Sequence, residues 1–281
     1  MLYFLTVNYY SSDLIKDLLK SLPPQKLAPY KVTIVNNSVA DKSVNKLADS
    51  YVQILTATGN LGFACGCNIG LKWIYKCDPS ALVWLVNPDS QLLPEMSLAQ
   101  LNDYCNFYNH ISILGTTIYT STGKIWFAGG IFESGSGAIS ETSLVNSQSS
   151  APVVCDWISG CSFLLNLKNF QDCPHFDPAF FLYYEDFDFC QRYRQQGHTV
   201  AITAAFSVMH APSSITNRHR FSKFNHSTFS YLLVLSRYAS RRSRVWRLGR
   251  VILAAVGLLI IEPAAACGKL YGVIRYLRWL C

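Results

Sequence analysis

Three acids stand within four positions at Glu185-Asp186-x-Asp188. Carboxylates this close repel one another, so such a cluster is tolerated when it is solvated, when it caps a helix, or when it moves protons. Another acid, Asp89, closes the run Asn87-Pro88-Asp89, whose residue types favour a turn. A histidine, His210, follows an apolar run and precedes Ala211-Pro212-Ser213-Ser214. Imidazole can serve as an acid, a base or a metal ligand. His110, His175, His198, His219 and His226 lack that context and read as surface or hydrogen-bonded residues. Between residues 59 and 70 the chain is rich in Gly and Asn, with Asn60, Gly62, Phe63 and Asn68. Glycines are needed where backbone turns with positive φ, and patterns of this kind also arise by chance.

Regular elements must bring these residues together. Residues 2–7 form an apolar run ending in Asn8, and residues 14–22 have helical spacing until Pro23 and Pro24 stop it. A second apolar run, 31–35, ends in Asn36-Asn37-Ser38. Then come a strand at 52–55, the Gly-rich stretch as a loop leading into a helix through Lys76, and a strand at 81–86 that runs into Asn87. This alternation predicts an open, mostly parallel sheet through about residue 115, with ligands beyond the carboxyl ends of its strands. Residues 120–150 are rich in Ser, Thr and Gly and read as loops or hairpins over the sheet edge. Asp186 is expected to begin a helix carrying Arg192 and Arg194 and capped by Gly197, followed by a strand at 199–208 that delivers His210.

The chain has 281 residues, half of them hydrophobic, enough for one substantial core and a small appendage. The motifs end near Asn225, which suggests a main domain over 1–225 and a tail over 226–281. The net charge of +7 is uneven: from Arg237 onward nine Lys or Arg face one acid, Glu262, whereas residues 1–236 hold fifteen against sixteen acids. A basic tail this apolar, without an RNA-binding motif, argues against a nucleic-acid partner. The apolar run 251–261 is short of the roughly 20 residues a membrane span needs, and Glu262-Pro263 interrupts it. With its arginines, Trp246 and Trp279, the tail suits an interfacial helix or hairpin on an anionic membrane surface, or a helical cap on the main domain. Met1 leads straight into an apolar strand without a charged leader region, so the ten cysteines are expected reduced, in the cytoplasm, and none has paired CxxC spacing.

In order along the chain stand Thr6-Val7-Asn8-Tyr9, Val35-Asn36-Asn37-Ser38, Asn60-Leu61-Gly62-Phe63 with Gly66, Asn68 and Gly70, Asn87-Pro88-Asp89, Trp157-x-x-Gly160, Phe180-Phe181-x-Tyr183-x-Glu185-Asp186-x-Asp188, and His210. This succession resembles the inverting family 2 glycosyltransferases, in particular their rhamnosyltransferase-like branch. The resemblance implies an α/β GT-A fold: an open, mostly parallel nucleotide-binding sheet flanked by helices, with a C-terminal helical membrane-associating tail. It implies a nucleoside diphosphate sugar donor bound by Thr6, Asn8, Asn36, Asn37, Asn60, Gly62, Phe63, Asn68, Asn87, Asp89 and Trp157. Asp89 resembles the surviving acid of an Asp-x-Asp metal motif, so that Asp89 and His210 would hold Mn2+ or Mg2+. Asp186 would be the general base, Glu185 would bind or orient the acceptor, and Asp188 would be structural.

Asn36 stands where an Asp is common in the family. Its amide oxygen can accept the same hydrogen bond from a pyrimidine base. The implied donor is dTDP-rhamnose, with a UDP-hexose or UDP-galactofuranose as the alternative. The implied acceptor is a lipid-linked saccharide of a surface polysaccharide such as O-antigen, on the inner face of the cell membrane. Asn36 and Asn87 also raise a different reading, a non-catalytic nucleotide-binding membrane scaffold, against which Glu185, Asp186 and His210 speak.

Overall fold

A computed structural model describes residues 1–94, 96–145, 150–210 and 219–280. The chain begins with β1 (Leu2–Asn8), α1 (Ser12–Ser21), β2 (Tyr30–Asn36), β3 (Val52–Thr56), α2 (Gly62–Cys77), β4 (Leu82–Val86) and β5 (Ser90–Leu92). Helix α3 (Leu98–Phe107) leads to β6 (Ile111–Thr120), β7 (Ile125–Phe127), and a hairpin of β8 (Gly130–Glu133) and β9 (Ala138–Glu141). Then follow β10 (Val153–Val154), β11 (Ser162–Asn166), α4 (Glu185–Gln195) and β12 (Thr199–His210). Helices α5 (Arg220–Tyr238), α6 (Arg241–Ile261) and α7 (Pro263–Leu280) form the C-terminal part.

One sheet runs in the order β10-β12-β6-β11-β4-β1-β2-β3. Strands β3, β2, β1 and β4 are parallel. Every residue of β1 is buried, as a parallel strand covered on both faces requires. Beyond β4 the sheet is mixed: β11 lies antiparallel to both β4 and β6, while β12 is parallel to β6. The expected parallel alternation thus gives way where the chain returns from the hairpin region. Short β5 pairs antiparallel with the end of β12 and sets Ser90 opposite His210.

The Gly-rich stretch is mostly helix rather than loop, because α2 begins at Gly62. Its glycines serve close packing: a Cβ on Gly66 would lie 2.8 Å from Val7, and one on Gly70 would lie 2.2 Å from Leu5. Helix α2 can therefore lie directly on β1, which fixes the α2 N-terminus at the sheet's carboxyl edge. Helix α4 begins at Glu185, its first turn carries all three clustered acids, and Gly197 beyond its end has φ +93°.

Helix α5 belongs to the core. Phe229 and Leu232, Leu233, Val234 and Leu235 are buried against the sheet domain. The 225/226 boundary suggested by the end of the motifs falls inside this helix. Helix α7 lies across α5, where Arg275 donates to Asn225 Oδ1 and covers the Phe229 ring. Much of α6 is open: Leu253 is 73% exposed and Ile260 94%. Among the described residues no helix is long and apolar enough to cross a membrane. Because Leu233 is fully buried, Leu233→Ala is expected to cost about 2–5 kcal/mol in denaturant unfolding. A cost within error of zero would mean that α5 does not share the core.

Candidate functional site

The carboxyl ends of β1, β2, β4 and β12 open into one cavity of about 610 Å3, the size of a small-molecule site. Val7 and Tyr9 border it after β1, Asn37 after β2, and Asn87, Pro88 and Asp89 after β4. Asn60, Gly62 and Phe63 at the start of α2, Trp157, Gly160, Glu185, Asp186 and His210 complete the set of sequence-derived residues that meet there.

On the β1–β2 side, amides build the wall by bonding to one another. Asn37 Nδ2 donates to Gly62 O (2.8 Å), and its Oδ1 accepts from Leu61 N (3.1 Å). Asn60 Oδ1 accepts from Gly62 N, and Phe63 N donates to Phe181 O. Thr6, Asn8, Asn36 and Asn68, expected to touch the donor, stand behind this wall. Asn36 Oδ1 already accepts from Asn8 Nδ2 (3.0 Å) and Ser38 N (3.1 Å), and Asn8 Oδ1 accepts from Ser11. Asn68 clamps the Phe176 backbone through both ends of its amide, at 2.8 and 2.7 Å. Thr6 is buried, and its Oγ1 has no hydrogen-bond partner among the described residues. A buried amide whose groups are satisfied has little left for a ligand, so Asn8, Asn36 and Asn68 support the wall; Thr6 does not line the cavity either, and Val7, Tyr9 and Asn37 form its surface.

Asp89 Oδ1 lies 3.1 Å from His210 Nε2, with both side chains almost wholly buried. The β5–β12 pairing makes this contact, and the Trp126 ring packs on the imidazole at 4.8 Å. The Ala211-Pro212-Ser213-Ser214 stretch that follows lies outside the described residues. Among the described residues no three His, Cys, Asp or Glu side chains cluster around one point. One carboxylate and one imidazole side by side fit a divalent cation that takes its other ligands from phosphate and water.

Asp186 lies in the first turn of α4. Gly160 N, from the Trp157-x-x-Gly160 turn, donates to its Oδ2 (2.7 Å), and Phe187 N donates to Oδ1 (2.8 Å). Desolvation raises its carboxyl above the ordinary aspartate value of 3.8, against the pull of these donors. Glu185 is buried, with Oε2 unpartnered among the described residues; desolvation and then the Asp186 charge hold its carboxyl well above the ordinary range. Immediately before the acids, Tyr183 and Tyr184 adopt φ of 69° and 63°. Left-handed backbone at two adjacent tyrosines costs about 1–3 kcal/mol each, strain that turns the helix start toward the cavity. Asp188 points away into the fold, where it bonds Arg192 Nε, Arg237 Nη1 and Tyr238 OH.

Several wall residues had no motif to announce them. Trp126 and, on the β9 strand, Ile139 and Glu141 come from the Ser/Gly-rich middle. From α5 and α6 come Ser222, Lys223, Tyr231 and Arg247. His219 and His226, read as surface or satisfied residues, also border the cavity; His226 stacks on Phe181 at 4.4 Å. Burial, and then the Arg275 charge, lower its pKa to about 4. Only side chains delivered by tertiary packing form this part of the wall, so spacing along the chain carries no trace of it.

No family model matches the chain. The rhamnosyltransferase WbbL of Escherichia coli (strain K12) is 25% identical over 250 residues, 83% of this chain and 92% of WbbL. GalNAc-T7, solved with UDP, GalNAc and Mn2+, superposes with a TM-score of 0.60 at 13% identity, over 84% of this chain and 47% of that one. The mannosyltransferase PcManGT from Pyrobaculum calidifontis, in complex with GDP-Man and Mn2+, gives 0.56 at 10% identity, over 98% and 86% of the two chains. TarS 1–349 of S. aureus gives 0.54 at 12% identity, over 98% and 88%. The chain thus spans about half the length of GalNAc-T7 but nearly all of WbbL. The fold is GT-A, and the protein is a glycosyltransferase. Its sequence similarity to WbbL makes it rhamnosyltransferase-like.

The Asp188 contacts make a sharp test of how the acids are held. Asp188→Ala strips a fully buried carboxylate from two largely buried guanidiniums and is expected to cost about 3 kcal/mol in chemical unfolding. A change below about 0.5 kcal/mol, the usual range for a surface position, would show that the contacts do not hold α4 to α5.

Proposed function

We propose that this glycosyltransferase inverts the anomeric carbon as it moves a sugar, with dTDP-rhamnose as the first donor to test, onto a hydroxyl of a lipid-linked saccharide. The observation that carries the reading is the grip on Asp186. Gly160 N and the α4 N-terminus aim its carboxylate into the cavity that also holds Asp89 and His210. Similarity to WbbL supports rhamnose over other sugars.

In this reading Asp186 accepts the proton of the acceptor hydroxyl while that oxygen attacks the anomeric carbon and the nucleoside diphosphate leaves. One direct displacement inverts the centre. Asn37, Asn60, Gly62 and Phe63 border the space for the nucleotide, and Trp157 offers a ring face to a sugar. Asp89 and His210 are the residues that would hold Mn2+ or Mg2+, which would supply positive charge to the leaving diphosphate. Two of the structural relatives were solved with Mn2+. A base works best with its pKa raised toward the working pH, the direction in which burial moves Asp186.

The reading also places the protein at an anionic membrane surface in the cytoplasm. Helix α6 exposes Val245, Trp246, Leu253, Val256, Ile260 and Ile261, and α7 exposes Ile274, Leu277 and Trp279. Arg241, Arg242, Arg250 and Arg278 stand exposed on the same two helices. Each basic residue at an anionic surface contributes about 1 kcal/mol and is screened by salt.

Asp186→Asn tests the base directly. Turnover should fall about 10²–10⁴-fold while calorimetry finds donor affinity little changed; near-normal turnover would remove Asp186 from the role. Asp186 acts only when ionised, and its pKa is raised. In the unsubstituted protein kcat/KM should therefore rise with pH through a limb above 3.8 and level off beyond it, whereas a limb at or below that value contradicts the assignment. For the membrane, flotation should recover the full chain with vesicles containing phosphatidylglycerol more than with phosphatidylcholine alone, and high salt should weaken the difference. Equal flotation with both lipids counts against an anionic surface.

A further inference from the structure

Glu141 is a fourth acid in the wall that holds Asp89, Glu185 and Asp186. It ends β9 at the cavity rim, exposed on one side. Glu141 and Asp186 line the same cavity, and partial burial, then the charge of Asp186, raise the Glu141 carboxyl. Tyr184 lines the same wall, its ring packs with Tyr231 at 5.6 Å, and Arg247 Nη1 donates to Tyr231 OH (3.2 Å). A further carboxylate, two tyrosine rings and a guanidinium therefore line the same cavity as the residue read as the base.

The hairpin that presents Glu141 is pinned on both flanks. Toward the sheet, Gly130 bridges to Trp157, and Phe132 N donates to Asp156 Oδ2 (2.7 Å). Toward the tail, the Ser240 and Ser243 hydroxyls donate to Gly135 O, and Arg247 Nε donates to Ser136 O (3.1 Å). A strand fixed this way holds the Glu141 backbone at a set place on the rim. Two like charges facing one cavity repel when nothing lies between them, and that repulsion is offset when hydroxyl donors do.

We propose that Glu141 binds the acceptor, accepting a hydrogen bond from the hydroxyl next to the one that Asp186 deprotonates. The site then reads the acceptor sugar as a vicinal diol, with Tyr184 and Tyr231 offering ring surface to its apolar face. This rests on the glycosyl-transfer reading of the same site. In the transfer, the attacking O–H bond breaks and its proton goes to Asp186. The oxygen's electron pair forms the bond to the anomeric carbon, and the bond to the diphosphate breaks with its pair on the departing oxygen. Glu141 gains and loses neither proton nor electrons.

The full chain is assayed with dTDP-rhamnose, UDP-galactofuranose and UDP-hexoses as donors. The acceptors are octyl glycosides of common hexoses and N-acetylhexosamines, together with their monodeoxy forms. Glu141 is exposed on a surface hairpin, so its substitution does not threaten the core. Glu141→Ala is expected to raise the acceptor KM about tenfold, the worth of one hydrogen bond to a charged group, while the donor KM moves less than about twofold. Glu141→Gln, whose amide oxygen still accepts, should recover part of the loss. Removing the neighbouring hydroxyl from the acceptor should penalise the unsubstituted protein but not Glu141→Ala, a pattern that general distortion of the hairpin would not produce. Equal penalties for both proteins overturn the proposal. So does a donor KM that rises in step with the acceptor KM, or an unsubstituted chain that hydrolyses donor yet transfers to none of the glycosides. If no donor is either hydrolysed or transferred, the glycosyl-transfer reading fails first, and this inference falls with it.

Discussion

A single buried carboxylate organises the region where chemistry is concentrated. Asp188 is fully buried, and such a charge is stable only when paired and hydrogen-bonded. Arg192 on its own helix satisfies one oxygen; Arg237 and Tyr238, at the end of α5, satisfy the other. Arg237 also reaches Asp177 and covers the Phe180 ring, while Arg192 holds His175 O. The segment from His175 through α4 is thereby tied to α5. Asp186, two residues before Asp188, sits on the helix start that this knot ties down, while Gly160 N holds its carboxylate.

It follows that the C-terminal helices are part of the site's construction. Helix α5 contributes Leu232 to Leu235 to the core, and Tyr231 and Lys223 to the cavity wall. Helix α6 grips the β8–β9 turn through Ser240, Ser243 and Arg247, and the same helix turns Trp246 and Leu253 outward. The outer apolar face and the cavity are thus two sides of one helical layer. In the proposed setting at a membrane surface, that geometry lets one element both seat on lipid and border the space for a lipid-linked sugar.

The cavity itself divides by chemistry. Its β1–β2 side is built from amides that hold one another and from α2 laid close on β1, a rigid wall that the proposed function gives to the nucleotide. Its other side gathers acids, strained tyrosines and tail residues, where protons would move. Asp89 and His210 meet through the pairing of β5 with β12, which makes sheet register the source of the candidate metal position.

The sequence by itself determined the strand-end positions of Asn37, Asn87, Asp89 and His210 and the helix start that carries Glu185 and Asp186. Apolar runs with polar ends are local signals, and an open α/β sheet places such ends along one edge. It misread the run after Gly59 as loop because glycines that serve close packing look like glycines that serve a turn; only the contacts of Gly66 with Val7 and Gly70 with Leu5 separate the two. Along the chain, Asn36 and Asn68 could not be told from ligand-binding amides, since Asn8 and the Phe176 backbone, which spend their hydrogen bonds, lie 28 and 108 residues away. The antiparallel insertion of β11, the placing of Glu141 and the joining of α5 to the core were decided by tertiary structure alone. Each depends on which distant surfaces bury one another, and burial is a property of the packed chain that no local spacing records.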